Sequence, residues 1–396
     1  MIARVGLAAV CGAGGQDVIT LRGITWDHPR GRQPLEETAD FYADRFGVRV
    51  EWSARSLKDF GDAPIDALAE RYDIIILDHP HVGIALTGRR PLLPLDTYID
   101  PADLQTLAGQ SAGPSHESYM LAGHQWALGN DGAMQAGSRR TDLGSFDWPG
   151  DWESVMALGT ELTKGVSRLA IPLAPTDAVC SFISLCAGRD GMNEPARCFV
   201  KHDVGLWALG VLQRLLEVCH PQSPHWNPIA MYEHMSTHDD VAYCPLAFCY
   251  TNYSRTGFRP RQIAFGPVPQ PRGSVLGGAG LGVSARCRHP REACNYGLWL
   301  CSAAVQRGLY VRHGGQPGNI EAWRDDAADE VTGGFFSGTR QVIENAFVRP
   351  RHVGWPAFQE WAGNTIRSTL LSRSDHAACL RAVESRYQQS LDAVEP

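Results

Sequence analysis

The chain has 396 residues, more than one simple core uses and enough for two lobes. Hydrophobic residues make up 44% and charged residues 20%, ordinary values for a folded globular chain, and no run approaches the ~18 apolar residues of a membrane span. The formal net charge is −7 and the arginines are scattered, which argues against a nucleic-acid backbone as partner.

After Arg4, the stretch Val-Gly-Leu-Ala-Ala-Val-Cys-Gly-Ala-Gly-Gly reads either as a short, glycine-interrupted secretion signal or as a tail before the first strand. Val18–Thr25 reads as that strand. Pro34 opens a helix with a stripe of Leu35, Ala39, Tyr42 and Phe46, and Gly47 ends it. Val48–Trp52 is a second strand. Leu57–Arg71 is helical, with Pro64 placed to split it. Tyr72–Leu77 is almost wholly apolar, as a strand covered on both faces is. This βαβαβ order over the first eighty residues is the strongest fold signal in the chain.

Further along, His81–Leu86 and Pro101–Leu107 read as short helices. Gln125–Leu128 reads as a strand running into a turn around Asn130–Gly132, where the chain crosses to a second lobe. Helices are expected over Trp152–Leu162 behind an Asp151 cap, Thr176–Cys186, Asp203–Cys219 and Asn227–Met235. Strands are expected over Ser167–Pro172, Val241–Tyr243 and Arg261–Phe265. Pro267–Gly273 is a connector. Gly277–Ser284 has too little in common with a phosphate loop or dinucleotide fingerprint and reads as a glycine-rich strand entry. From Glu292 onward the pattern is mostly helical, with breaks near Gly333–Gly334 and Pro350–Pro356.

The chain has 11 cysteines, an odd number, and no Cys-x-x-Cys pair. Most lie in apolar runs, which suits buried thiols acting as small hydrophobes and a reducing compartment.

Two apolar strands end in the same polar tripeptide, Asp27-His28-Pro29 and Asp78-His79-Pro80. Open α/β sheets bind ligands at that strand edge. Together with Gly23–Gly31, Asp78–Gly83, Gly113–His116, Gly123–Ala127, Ala242–Phe248, Leu276–Ala285 and Gly314–Gly318, these segments make the chain resemble an extracellular solute-binding protein of the carbohydrate-binding ABC transporter type. The resemblance is to a subgroup without a clear signal peptide. It implies an α/β, two-lobe periplasmic-binding-protein-like (type II) fold with hinge crossovers and an interlobe cleft. Residues 1–129 plus 274–396 would form the first lobe with the C-terminal helices, and 130–273 the second. A monomer that binds a saccharide-like solute and delivers it to an ABC permease, without cofactor or metal, is the expected function. Periplasmic or cell-surface placement goes with that role, whereas the weak signal and the cysteines keep a cytoplasmic site open.

The ligand set expected from the residues is as follows. Trp26 and Trp126 offer plates for the apolar faces of a sugar ring. Asp27 and Asp78 accept hydroxyl protons, with capping as their alternative use. His28, His79 and His81 suit polar contacts better than metal ligation, since two proline-constrained loops would have to converge. Ser115, His116 and Tyr119 are polar candidates from the segment before the crossover. Thr176 and Asp177 sit at a helix N-terminus, whose free amides favour a polar ligand. Tyr250, Asn252, Tyr253 and Gln316 supply hydroxyls and amides from the far wall, and Arg255 either pairs with a carboxylate or phosphate on the ligand or, as the preferred reading, is a solvated surface residue. The alternative is a cytoplasmic enzyme on the same scaffold. His116 with Cys244 is a conceivable thiol–imidazole pair for it, but no catalytic motif occurs.

Overall fold

The computed structural model describes residues 18–62, 64–144, 146–192 and 198–392, so the segment after Arg4 lies outside it. The first three strands are β1 (Ile19–Trp26), β2 (Val48–Arg55) and β3 (Ile74–Leu77). β1 is central and pairs in parallel with both of the others. The connecting helix Pro29–Phe46 starts five residues before the expected Pro34. His28 caps it by accepting the Arg30 N–H on Nδ1 at 3.1 Å, and Pro29 occupies the first turn, where its missing N–H costs nothing. Pro34 is therefore inside the helix. At the other end Gly47 takes φ 72° and returns its N–H to Ala43. The expected split at Pro64 occurs, giving helices Leu57–Asp62 and Ile65–Ala69. β3 is fully buried and is followed by a 3-10 turn, His79–Leu86.

A small hairpin of β4 (Met120–Leu121) and β5 (His124–Gln125) precedes β6 (Ala127–Arg140). β6 runs straight through the turn expected at Asn130–Gly132. Its first half pairs antiparallel with β10 (Leu276–Val283), which in turn pairs with β3. Its second half pairs with β8 (Val241–Phe248) and β9 (Ile263–Gly266), and β8 pairs in parallel with the short β7 (Arg168–Leu169). The two lobes thus share a continuous ladder, with β6 and β10 as the crossovers. A bulge at Ala279/Gly280 marks the crossing, and there Gly278 takes φ 98°, where a Cβ would lie 2.2 Å from the Asp131 carbonyl oxygen. β8 extends past Pro245, which was expected to end it. The β6–β8 register slips between Ala136 and Ser138, so Pro245 falls where no ladder donor is required.

Each lobe has its own core. Leu21, Ile74, Ile76, Leu128, Leu281 and Tyr296 lie in one, and Phe182, Leu212, Tyr232, Tyr243 and Leu246 in the other. The C-terminal helices Trp355–Ser372 and His376–Leu391 join the second of these, not the first lobe expected for them. Trp355, Phe358 and Tyr387 pack on Phe199, with ring centroids 5.0–6.0 Å apart. Gly363 brings the first of these helices onto the Pro175 carbonyl, where a Cβ would come within 2.1 Å. No helix among the described residues is long and apolar enough to cross a membrane.

Gly278→Ala is expected to cost roughly 2–4 kcal/mol, from the left-handed backbone and the collision with Asp131 together. Gly210→Ala, in a helix interior with open space around it, is expected to gain about 0.5–1 kcal/mol. Urea denaturation of both variants reads the contrast.

Candidate functional site

A cleft of about 550 Å³ opens between the lobes over the β6–β10 crossing. Its floor is Asp131, Ala133, Gly277 and Gly278. The first lobe contributes Trp26, Leu57, Phe60 and Asp78, and the second contributes Ala174–Asp177, Asn227, Phe248 and Tyr250. The C-terminal segment adds Arg349, Glu360 and Asn364. Trp26 ends β1 with its ring against Gly31, and its centroid lies 5.0 Å from that of Phe60. Gly277 leaves room for the Phe248 ring, which a Cβ there would meet at 2.7 Å.

Two buried ion pairs frame the cleft. Arg30 grips Asp131 through both Nε, at 2.9 Å, and Nη2, while its Nη1 donates to the Cys249 carbonyl at 2.9 Å. Its guanidinium also lies 4.7 Å from the Tyr250 ring centroid. Burial disfavours the charge on Arg30, but Asp131 outweighs it and holds the guanidinium above its ordinary value. On the other side Arg349 Nη2 donates to both oxygens of Asp78, at 2.7 and 2.9 Å, and Nη1 donates to Gln359. Burial would raise the Asp78 carboxyl, yet Arg349 and His79 keep it well below the usual carboxylate range.

Asp177 has no such partner. It lies in the first turn of helix Pro175–Ala187, 6% exposed, and burial pushes its carboxyl up to about 8 against only its own backbone N–H.

Of the residues expected at the ligand, Trp26, Asp78, Thr176, Asp177 and Tyr250 line the cleft. The others lie elsewhere. Asp27 turns outward and pairs with Arg32 at 3.0 Å, because the strand's alternation puts Trp26 inside. His28 lies behind Tyr250, 4.9 Å between ring centroids, and burial together with Arg30 lowers its pKa to about 3, which keeps it neutral as a cap. His79 is buried behind Asp78, accepts the Arg349 N–H at 3.3 Å, and is lowered to about 4 by burial and Arg349. His81 is half-buried on the same turn, off the cleft wall.

Ser115 donates to the Ala112 carbonyl at 2.7 Å, and Tyr119 donates to that of Leu77 at 3.1 Å. Trp126 is a core residue whose Nε1 donates to the Leu121 carbonyl at 3.0 Å. His116 is half-buried and lowered to about 4 by burial. Tyr253 donates to Glu233 at 2.8 Å. Asn252 is buried against Gly314, and Gln316 bridges the Thr251 N–H and the Gly132 carbonyl, bracing the crossover. Arg255 is not solvated: its Nη2 donates to the Val311 carbonyl at 2.6 Å and burial lowers it to about 10. Cys244 is fully buried, and burial raises its thiol to about 12, the opposite of what a nucleophile needs.

Sequence reasoning passed over Arg30, Phe60, Asp131, Asn227, Arg349, Glu360 and Asn364, while Phe248 belongs to the aromatic loop read as a second-lobe wall. Arg30 sits beside the Asp-His-Pro tripeptide and Phe248 ends a quoted segment, so both carried a local signal. Arg349 lies 271 residues from the Asp78 it pairs with, and nothing local marks it or Glu360. Among the described residues, one group could hold a metal: His220, His234 and Asp240, away from the cleft wall. There His234 Nε2 lies 2.7 Å from Asp240, and His220 Nδ1 already accepts the Gln222 N–H, which places the proton on the Nε2 that faces the same carboxylate.

No protein-family model matches the chain, and no curated protein matches it. Solved structures do. The maltose-bound MalE3 of T. maritima superposes with a TM-score of 0.79 at 15% identity, covering 94% of this chain and 100% of that one. An ABC transporter solute-binding protein from Agrobacterium radiobacter, in complex with ribitol, gives 0.77 at 16% identity over 94% and 98%. The GacH receptor of Streptomyces glaucescens, solved unliganded and with acarbose, gives 0.76 at 16% over 95% and 99%. The chain has the two-lobe α/β fold of these solute-binding proteins.

Arg30→Ala leaves the Asp131 carboxylate buried and alone, and is expected to cost roughly 3–5 kcal/mol in denaturant unfolding. For Asp177 the sign runs the other way. Its native pKa of about 8 exceeds the ~3.9 of an unfolded chain, so the native state binds the extra proton and stability falls as pH rises between the two values. Asp177→Asn is therefore expected to raise Tm at about pH 8.5 and to leave it nearly unchanged at about pH 4. Equal gains at both ends would show that this carboxyl does not titrate in the window.

Proposed function

We propose that this protein is a solute-binding protein that holds a sugar or related polyol between its lobes and delivers it to an ABC permease. The observation that carries this reading is the composition of the cleft. Flat rings of Trp26, Phe60, Phe248 and Tyr250 share one space with the carboxyls and amides of Asp78, Asp177, Asn227, Glu360 and Asn364. A sugar ring has apolar C–H faces and a polar rim, and needs both kinds of wall. The volume, about 550 Å³, falls in the range of small-molecule sites, roughly 300–1,000 Å³. Maltose and ribitol, named with two of the structural neighbours, are of this chemistry.

Binding would order the ligand against the floor at the β6–β10 crossing and close the second lobe over it. Specificity would follow from polar groups left unpaired by a wrong ligand. The Cys244 thiol that the catalytic alternative calls on is sealed in the second-lobe core.

Calorimetry against maltose, ribitol, sorbitol and glucose tests the reading, and at least one member is expected to bind with a measurable Kd and raise Tm. Trp26→Ala is expected to weaken that binding about tenfold or more, ~1.4 kcal/mol, and Asn364→Ala by up to about tenfold through one lost hydrogen bond. Trp126→Ala is expected instead to cost about 3–5 kcal/mol of stability, as a core truncation does, with affinity unchanged. A cleft that takes no sugar or polyol would overturn the proposal.

A further inference from the structure

Six charged side chains line the cleft: Arg30, Arg349, Asp78, Asp131, Asp177 and Glu360. Both cations are spent inside the protein. Arg30 directs all three of its nitrogens to Asp131 and the Cys249 carbonyl. Arg349 directs its terminal nitrogens to Asp78 and Gln359, and its remaining Nε is buried without a hydrogen-bond partner. Asp78 and Asp131 are neutralised by these contacts, and two carboxyls remain over.

Those two come from neighbouring helices. Asp177 is in the first turn of Pro175–Ala187, and Glu360 is on Trp355–Ser372, which crosses it closely at Gly363 and Pro175. Among the described residues no ion pair or side-chain hydrogen bond reaches Asp177, although it is 94% buried by its 6% exposure. Glu360 is exposed at the mouth. The cleft thus holds two carboxyls and no cation left over to answer them.

A neutral polyol leaves that surplus uncompensated and obliges the buried carboxyl to hold a proton. A ligand that brings its own cation removes both costs at once. Resting on the sugar-or-polyol reading above, we propose that the natural ligand is an amine-bearing sugar or polyol whose ammonium group is held by Asp177, with Glu360 as the outer counter-charge. The helix N-terminus at Asp177 does not favour a cation by itself, and the ion pair forms in spite of it because it is shielded from water in the closed cleft. The ring walls serve the same ligand, packing on its C–H faces while the ammonium turns toward Asp177.

Matched pairs of probes test this: glucosamine against glucose, 1-amino-1-deoxysorbitol against sorbitol, and a maltose derivative with one hydroxyl replaced by an amine against maltose. Isothermal titration is run at about pH 7.5 and low salt, where screening is weak. The amine of at least one pair is expected to bind about tenfold or more tightly than its hydroxyl partner, the size of a hydrogen bond to a charged group. Asp177→Asn is expected to abolish that preference, read as the ratio of amine to neutral affinity measured within the same variant. Glu360→Gln, at an exposed position that folding does not depend on, is expected to reduce the preference about twofold to threefold and to be weakened further by salt. Neutral partners binding as well as or better than the amines, or a preference that survives Asp177→Asn in a variant with unchanged circular dichroism, would overturn the inference and leave solute binding standing. Failure of every probe, charged and neutral, would overturn the solute-binding reading and this one with it.

Discussion

The contact on which the cleft depends is the buried grip of Arg30 on Asp131. Arg30 belongs to the first turn after β1, Asp131 to the crossover strand, and the Cys249 carbonyl that takes the remaining nitrogen to the end of β8. One guanidinium therefore ties the first lobe, the crossover and the second lobe together beneath the ligand space. A charge this deep is tolerable only beside a counter-charge, and that requirement fixes where the loop after Trp26 must run. Tyr250 lies over the same guanidinium and the capping His28 packs behind Tyr250, so one ring of the far wall and the cap of the first helix take their places from it.

Arg349 and Asp78 repeat the device from the other end of the chain. The bond returns the C-terminal segment to the strand-end loop of β3, beside a bridge between Val275 and Phe347 that runs along the second crossover. The helices that follow then bury Trp355, Phe358 and Tyr387 in the second lobe. A segment far along the chain thereby becomes one wall of the cleft and brings Glu360 and Asn364 to its mouth. Because the two arginines are consumed in this architecture, they contribute no free positive charge to the ligand space. What they leave without a cation is Asp177 inside the cleft and Glu360 at its mouth.

Much of the frame was legible in the residues. The βαβαβ order, the break at Pro64, the Asp151 cap and the Gly47 stop each rest on a local rule that the tertiary structure had no cause to override. The strand-end loops were legible as a place, since Trp26 and Asp78 do stand on the cleft wall. Their roles were less so. Asp27 and Asp78 occupy the same position in the same tripeptide, yet one faces solvent with Arg32 and the other faces the cleft with Arg349. Trp126 and Trp26 are equally good plates by composition, and only the packing decides that Trp126 is core.

Local chemistry, then, settled which segments are helices and strands and which loops carry polar side chains, because caps, prolines and hydrophobic periods act within a few residues. The tertiary structure alone decided that β6 would run on through Asn130–Gly132, that the C-terminal helices would join the second lobe, and which carboxyls would find a cation. Those outcomes depend on partners a hundred or more residues away. A buried charge takes the nearest counter-charge in space, and sequence neighbourhood does not say which one that is.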